Sequence, residues 1–231
     1  MPFDCLSCLR KPNSTVPMGD PIDFYYWTVS SPSRAVLMTA KELGVNLNLI
    51  KVDLMTEEHL KPEFVKINFM HTLPTIVDNG FTLWESRSIM LYLYQKFAKT
   101  DRLYPCDPQR RALVDRMLYF DMGTLYSAAH DLVFPKLLGQ LTEIDTDQEK
   151  KLKEALGYFE QFIGDNNYVA GNSLTLADLS VLGSLTVLDL IDYKIEGFPK
   201  VQSWLQRMET ELPYYNEVNK EPIEEFKASR K

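Results

Sequence analysis

Phe24-Tyr25-Tyr26-Trp27-Thr28-Val29-Ser30-Ser31-Pro32-Ser33-Arg34 is the stretch that decides how the chain begins to fold. Its four aromatics read as a buried strand, because such side chains suit a pleated, half-buried surface. Thr28-Val29-Ser30 is a turn. Proline suits the first helical position and serine the cap before it, so Ser31 is predicted to cap a helix with Pro32 at N1. Ser30 is then left just ahead of the helix start. Val36, Leu37, Ala40 and Leu43 follow at helical spacing, and Gly44 supplies the C-terminal stop. Leu47, Leu49 and Val52 mark a second strand, so 22–54 is strand–helix–strand, most simply with parallel strands.

Working outward, Pro74-Thr75-Ile76-Val77, Asp78-Asn79-Gly80 and Phe81-Thr82-Leu83-Trp84 form a hairpin with an Asn-Gly type I′ turn. Ile89, Met90, Leu93 and Phe97 form a helix after it. The order is βαβ, a short helical link, then ββα. Beyond Pro105 the strand signal stops. Helices are predicted over Ala112 to Leu125 with a continuation stopping near Pro135, from Leu152 to Gly164, from Thr175 to Ile191, and around Val201 to Met208. The Thr175 to Ile191 segment is apolar nearly all round, as a helix at a domain centre must be. The predicted division is an extension at 1–21, an α/β domain at 22–98, a linker at 99–106 and an all-helical domain at 107–231.

Residues 1–21 carry four prolines without apolar periodicity and read as a flexible extension, not a secretory or mitochondrial leader. Cys5 and Cys8 have redox spacing but precede the first strand, whereas a thioredoxin-type pair follows one and opens a helix. The chain has 231 residues, with Lys+Arg 25 against Asp+Glu 32 and a net charge of −7. No basic stripe is present to track phosphates, which argues against nucleic acid as a partner. The most apolar run, Leu179 to Leu188, is broken by Ser180, Gly183, Ser184 and Thr186 and falls short of the ~18 residues that span a membrane. Three cysteines suit a reducing, cytoplasmic setting. His59, His71 and His130 lack metal-ligand spacing, so no metal is expected.

Three turns carry residues suited to chemistry. Ser30 sits where backbone dipoles favour an anion, and Ser30 and Ser31 equally sit where turns and caps use serine. Leu73-Pro74 opens a strand: an ordinary trans proline at a sheet edge is the simpler local reading, and a cis bond beside a ligand the other. Glu85-Ser86 follows the hairpin. It reads as a capping pair with a solvated acid, or as Ser86 capping a helix start that holds a carboxylate while Glu85 accepts from an ammonium.

Ser-Ser-Pro-Ser-Arg (30–34), Glu-His-Leu-Lys-Pro-Glu-Phe (58–64), His-Thr-Leu-Pro-Thr-Ile-Val-Asp-Asn-Gly-Phe (71–81) and Leu-Trp-Glu-Ser-Arg-Ser-Ile (83–89) resemble the insect delta-class cytosolic glutathione transferases, the epsilon class being next nearest. Leu-Tyr-Phe-Asp-Met-Gly-Thr-Leu-Tyr (118–126) and Ser-Leu-Thr-Leu-Ala-Asp-Leu (173–179) extend the resemblance. It implies a thioredoxin-like N-terminal domain, an all-α C-terminal domain and a homodimer. Ser30 then resembles the hydroxyl that hydrogen-bonds the glutathione sulfur. His59 and His71 resemble ligands of the glycyl end, Leu73 beside a cis-Pro74 the backbone partner of the cysteinyl part, and Glu85, Ser86 and Arg87 the holders of the γ-glutamyl end. The hydrophobic substrate pocket is expected to use Met122, Tyr126, Phe134 and Leu138, and to be roomier at Ala129, where the family often has an aromatic. Thr175 and Asp178 match the family's structural capping box, with Leu174 and Leu179 as its staple.

The sequence departs from the family at Phe69-Met70, where Pro-Gln is usual, and at Ser33, where cysteine is common. The implied function is conjugation of glutathione to hydrophobic electrophiles, with dehydrochlorinase or peroxidase side activity open. The alternatives are a non-catalytic carrier of hydrophobic ligands and a cysteine-dependent thiol transferase; 28–34 contains no cysteine, which weakens the last. Arg87, Met90 and Tyr94 at helical spacing are expected to face a partner subunit.

Overall fold

The computed structural model describes residues 21–230. The extension with Cys5 and Cys8 therefore lies outside the described residues, apart from Pro21. Strands β1 (Ile22–Tyr26), β2 (Leu47–Lys51), β3 (Thr75–Asp78) and β4 (Phe81–Trp84) form one sheet in the order β2-β1-β3-β4. β1 runs parallel to β2 and antiparallel to β3, and β4 is antiparallel to β3. The expected hairpin is present, with Asn79 at φ 49° and Gly80 at φ 84°, both left-handed as a type I′ turn requires.

Helix α1 (Ser31–Leu43) supplies the β1-to-β2 crossover and packs against α3 (Ser86–Phe97). The short helix α2 (Pro62–Val65) brings Phe64 edge-on to Tyr25 at 5.8 Å. Phe24 and Ile76, facing each other across β1 and β3, are fully buried, as are Val36 and Met38 of α1 and Ile89 and Leu93 of α3.

The second part is helical: α4 (Pro108–Phe120), a π-helical turn (Asp121–Leu125), α5 (Tyr126–Leu137), α6 (Thr146–Ile163), α7 (Leu176–Thr186) with a 3-10 extension (Val187–Ile191), α8 (Pro199–Glu211), a second π-helical turn (Asn216–Lys220) and α9 (Glu221–Ala228). α5 runs through Pro135 and ends two residues later than the expected stop. α9 has no counterpart in the sequence reading. Every residue of α7 is buried. Its Thr175–Asp178 capping box forms as expected, and the Asp178 carboxylate also accepts from the Val169 N–H at 2.9 Å and the Trp204 indole at 3.1 Å. Burial raises the Asp178 pKa even though these donors favour the anion.

The two parts share one core. α1 lies directly on α7, and fully buried Arg34 of α1 donates to the Gly183 carbonyl at 3.2 Å and to Thr186 Oγ1 at 3.1 Å. Burial lowers the Arg34 pKa to about 10, opposed by Asp189. Among the described residues no helix is long and apolar enough to cross a membrane, and no three His, Cys, Asp or Glu side chains converge as a metal would require.

Candidate functional site

The sheet topology gathers the three turns at one end. Tyr26 pairs with Lys51, Tyr25 with Thr75, and Thr75 with Trp84. The chain leaving β1 towards Ser30, leaving β2 towards His59, entering β3 through Leu73-Pro74 and leaving β4 into Glu85-Ser86 therefore shares that edge.

Ser30 is the N-cap of α1, with φ −67° and ψ 116°, and its hydroxyl oxygen accepts from the Ser33 N–H at 3.3 Å. This corrects the sequence assignment by one residue: Ser31 is the first helical residue, and Pro32 the second. The error is a small one physically, since no N–H in the first turn has an intrahelical partner and proline loses nothing at either place. Ser30 is 7% exposed, and its hydroxyl proton has no acceptor among the described residues. A donor is thus held at the positive end of a thirteen-residue helix.

The Leu73–Pro74 bond is cis. Leu73 is half-buried, Pro74 buried and His71 exposed in a left-handed conformation at φ 46°. The rings of His59 and His71 lie 6.1 Å apart. Partial burial, reinforced by His71 and opposed by Glu57, lowers the His59 pKa; its Nδ1 is buried with no partner among the described residues.

α3 starts differently from α1. Its N-cap is Glu85, exposed, at φ 69° and ψ 105°, and among the described residues no side chain caps the first turn. Ser86, expected as the cap, is instead the first helical residue and is buried. A non-glycine residue at such a φ costs on the order of 1–3 kcal/mol and is retained where its geometry is used. Arg87 donates from Nη1 to Ser86 Oγ at 3.1 Å and pairs through Nη2 with fully buried Asp121, to which Ser180 Oγ also donates. Met90 and Tyr94 are 0% and 5% exposed within the single chain, so the face of α3 expected to meet a partner subunit packs inward instead.

Arg87 also lies over the Tyr126 ring at 5.5 Å, linking this turn to the helical domain. Burial raises the Tyr126 phenol pKa, with Arg87 opposing. Met122, Tyr126, His130, Phe134 and Leu138 recur every fourth residue along one side. Met122 and Leu138 are exposed and the other three half-buried, Tyr126 and His130 5.6 Å apart, His130 and Phe134 stacked at 4.1 Å. Ala129 is on the other side. It is 0% exposed between Leu125 and Val133, so it faces the core and does not enlarge a pocket, contrary to expectation. The sequence reading missed His130, whose four-residue step from Tyr126 and Phe134 was the available signal, and gave Asp121 no role. At the outer side of the β1–α1 turn, α9 sets Phe226 edge-on to Trp27 at 5.5 Å, beside a cavity of about 510 Å³.

Comparison with known proteins decides the family. Residues 22–95 match the glutathione S-transferase N-terminal domain and residues 126–211 the C-terminal domain. A delta-class glutathione transferase of Nilaparvata lugens is 43% identical, covering 90% of this chain and 97% of its own, with a TM-score of 0.84. The chain belongs to the glutathione transferase family. A glutathione transferase of Bombyx mori is 38% identical over 90% of this chain and 97% of its own, with a TM-score of 0.85. An epsilon-class enzyme of the housefly Musca domestica is 35% identical over 90% and 96%, with a TM-score of 0.83. The thioredoxin-like and all-α arrangement expected from the sequence is the one found, and the chain is a glutathione-conjugating enzyme.

Proposed function

We propose that this glutathione transferase is a delta-class enzyme that activates the glutathione thiol at Ser30 and joins it to hydrophobic electrophiles held against α5. The observation that carries the reading is the Ser30 hydroxyl, whose proton has no acceptor among the described residues at the start of α1. A free thiol has a pKa of ~8.5, so ionisation at pH 7 needs a shift of roughly two units, about 3 kcal/mol. A hydrogen bond to a charged group and the adjacent helix dipole act in that direction. Ser30 donates and is not the nucleophile, so it needs no general base.

The other turns suit the rest of the tripeptide. The uncapped first turn of α3 offers backbone N–H groups to the γ-glutamyl carboxylate, with Ser86 beside it, exposed Glu85 for the ammonium and Arg87 adding positive charge. Leu73 supplies backbone groups to the cysteinyl part beside Pro74. His59 Nδ1, buried without a partner among the described residues, and His71 suit the glycyl carboxylate. The thiolate then attacks an electrophilic carbon oriented by Met122, Tyr126, His130, Phe134 and Leu138, with orientation supplying much of the remaining acceleration. A homodimer, a cytoplasmic location and a detoxifying role toward foreign compounds go with this reading. A conjugation assay with a chloronitrobenzene acceptor tests it: turnover that Ser30→Ala lowers supports the reading. Turnover that Ser30→Ala leaves unchanged would contradict it.

A further inference from the structure

We propose that Gly183, on α7 of the helical domain, is a positioning residue that sets the place of the Ser30 hydroxyl. The inference rests on the reading of Ser30 as the donor to the glutathione sulfur. Glycine is the poorest helix former after proline, and it sits here inside a wholly buried helix. Its backbone does not explain it, because its φ lies outside the left-handed region that favours glycine. Space does. A Cβ at Gly183 would stand 2.7 Å from the Ser31 carbonyl oxygen and 3.5 Å from both the backbone N and the Cβ of Ala35.

The atom it would strike is backbone and cannot rotate aside. It belongs to the residue after Ser30, in the helical turn where the Ser30 carbonyl accepts from the Arg34 N–H at 3.0 Å and the Ser30 hydroxyl from the Ser33 N–H at 3.3 Å. Moving the Ser31 carbonyl therefore moves the cap. Little slack is available elsewhere: α7 is buried throughout, α1 is packed against α3, and Arg34 ties α1 to α7 through the carbonyl of Gly183 itself and Thr186 Oγ1. The domain that carries the electrophile's wall thus also seats the group that activates the thiol.

The test is the pKa of enzyme-bound glutathione, read from thiolate absorbance against pH, in wild type, Ser30→Ala, Gly183→Ala and Thr186→Val. Ser30→Ala raises it by about one to two units. Gly183→Ala is expected to raise it by about half a unit and to lower kcat at neutral pH roughly threefold, with KM for the electrophile unchanged and the loss recovered at high pH. A merely structural glycine would alter the melting temperature and leave the thiol titration in place. A folded Gly183→Ala with the wild-type thiol pKa overturns the inference while Ser30 keeps its role. No shift in Ser30→Ala overturns the reading beneath it. If Gly183→Ala does not fold, Thr186→Val carries the test, with a smaller shift in the same direction expected and an unchanged thiol pKa contradicting it.

Discussion

α1 and α3 both begin at the site, one with a cap and one without. At α1 a serine in extended conformation closes the first turn, its hydroxyl oxygen engaged at 3.3 Å and its proton without an acceptor among the described residues. At α3 the cap position holds Glu85 in a positive-φ conformation, no side chain among the described residues closes the turn, and charge stands behind it in the Arg87–Asp121 pair. A helix start that keeps its own hydroxyl cap suits a single atom needing one donor, a sulfur. One left open, with several N–H groups and a cation near, suits a carboxylate. In the proposed reading the same backbone device serves two ligand groups because the residues at the cap differ.

The contrast can be broken most severely from behind α3. Asp121→Ala removes a fully buried carboxylate and leaves Arg87 without its ion pair and Ser180 without its acceptor. Such a loss costs about 3–5 kcal/mol of stability. It should raise KM for glutathione more than it lowers kcat. Denaturant unfolding and initial rates check both, and a mutant of wild-type stability would mean that the network does not support α3.

Ala129→Phe extends the comparison to α5. With the side chain 0% exposed among core residues, overpacking should cost about 1–3 kcal/mol, and any effect on turnover should be equal for small and bulky electrophiles. A selective loss for bulky substrates would return position 129 to the pocket.

The smallest effect concerns His59. Its pKa in the folded protein lies below the ordinary histidine value, so the native state binds fewer protons than the unfolded chain over that window. Its contribution to stability is therefore present at higher pH and lost as pH falls through the window. Histidine proton resonances followed against pH should place the His59 midpoint below 6.5, with an upward move in His71→Asn and on binding glutathione, whose carboxylate favours the cation. A midpoint indifferent to both would separate the two rings from the tripeptide.

Much of the fold was legible because its signals are local and redundant: the Asn79-Gly80 turn, the crossover ended by Gly44 and the Thr175–Asp178 box each combine residue type with spacing. The three turns of the candidate site were legible one by one, and their meeting at one end of the sheet follows from strand register. What escaped depends on phase. Ser30 and Ser31 are equally good caps, and only backbone dihedrals choose between them. Ala129 and His130 are adjacent on a helix preceded by a π-helical turn, which rotates everything after it. Met90 and Tyr94 form a regular face that sequence spacing assigns to no particular side. α9 went unread after Met208, although its Pro222 stands in a helical first turn, where proline is tolerated.

The most direct test of Ser30 as both cap and thiol activator compares Ser30→Ala with Ser31→Ala in one pair of measurements, stability and the pH dependence of conjugation. Ser30→Ala is predicted to lose about 1 kcal/mol of stability and roughly ten- to hundredfold in rate near neutral pH, the rate partly recovering as pH rises. Ser31→Ala, at a buried position whose hydroxyl makes no hydrogen bond among the described residues, is predicted to match wild type in both within about 0.5 kcal/mol and twofold. A pH-dependent loss in Ser31→Ala with wild-type behaviour in Ser30→Ala would contradict the account.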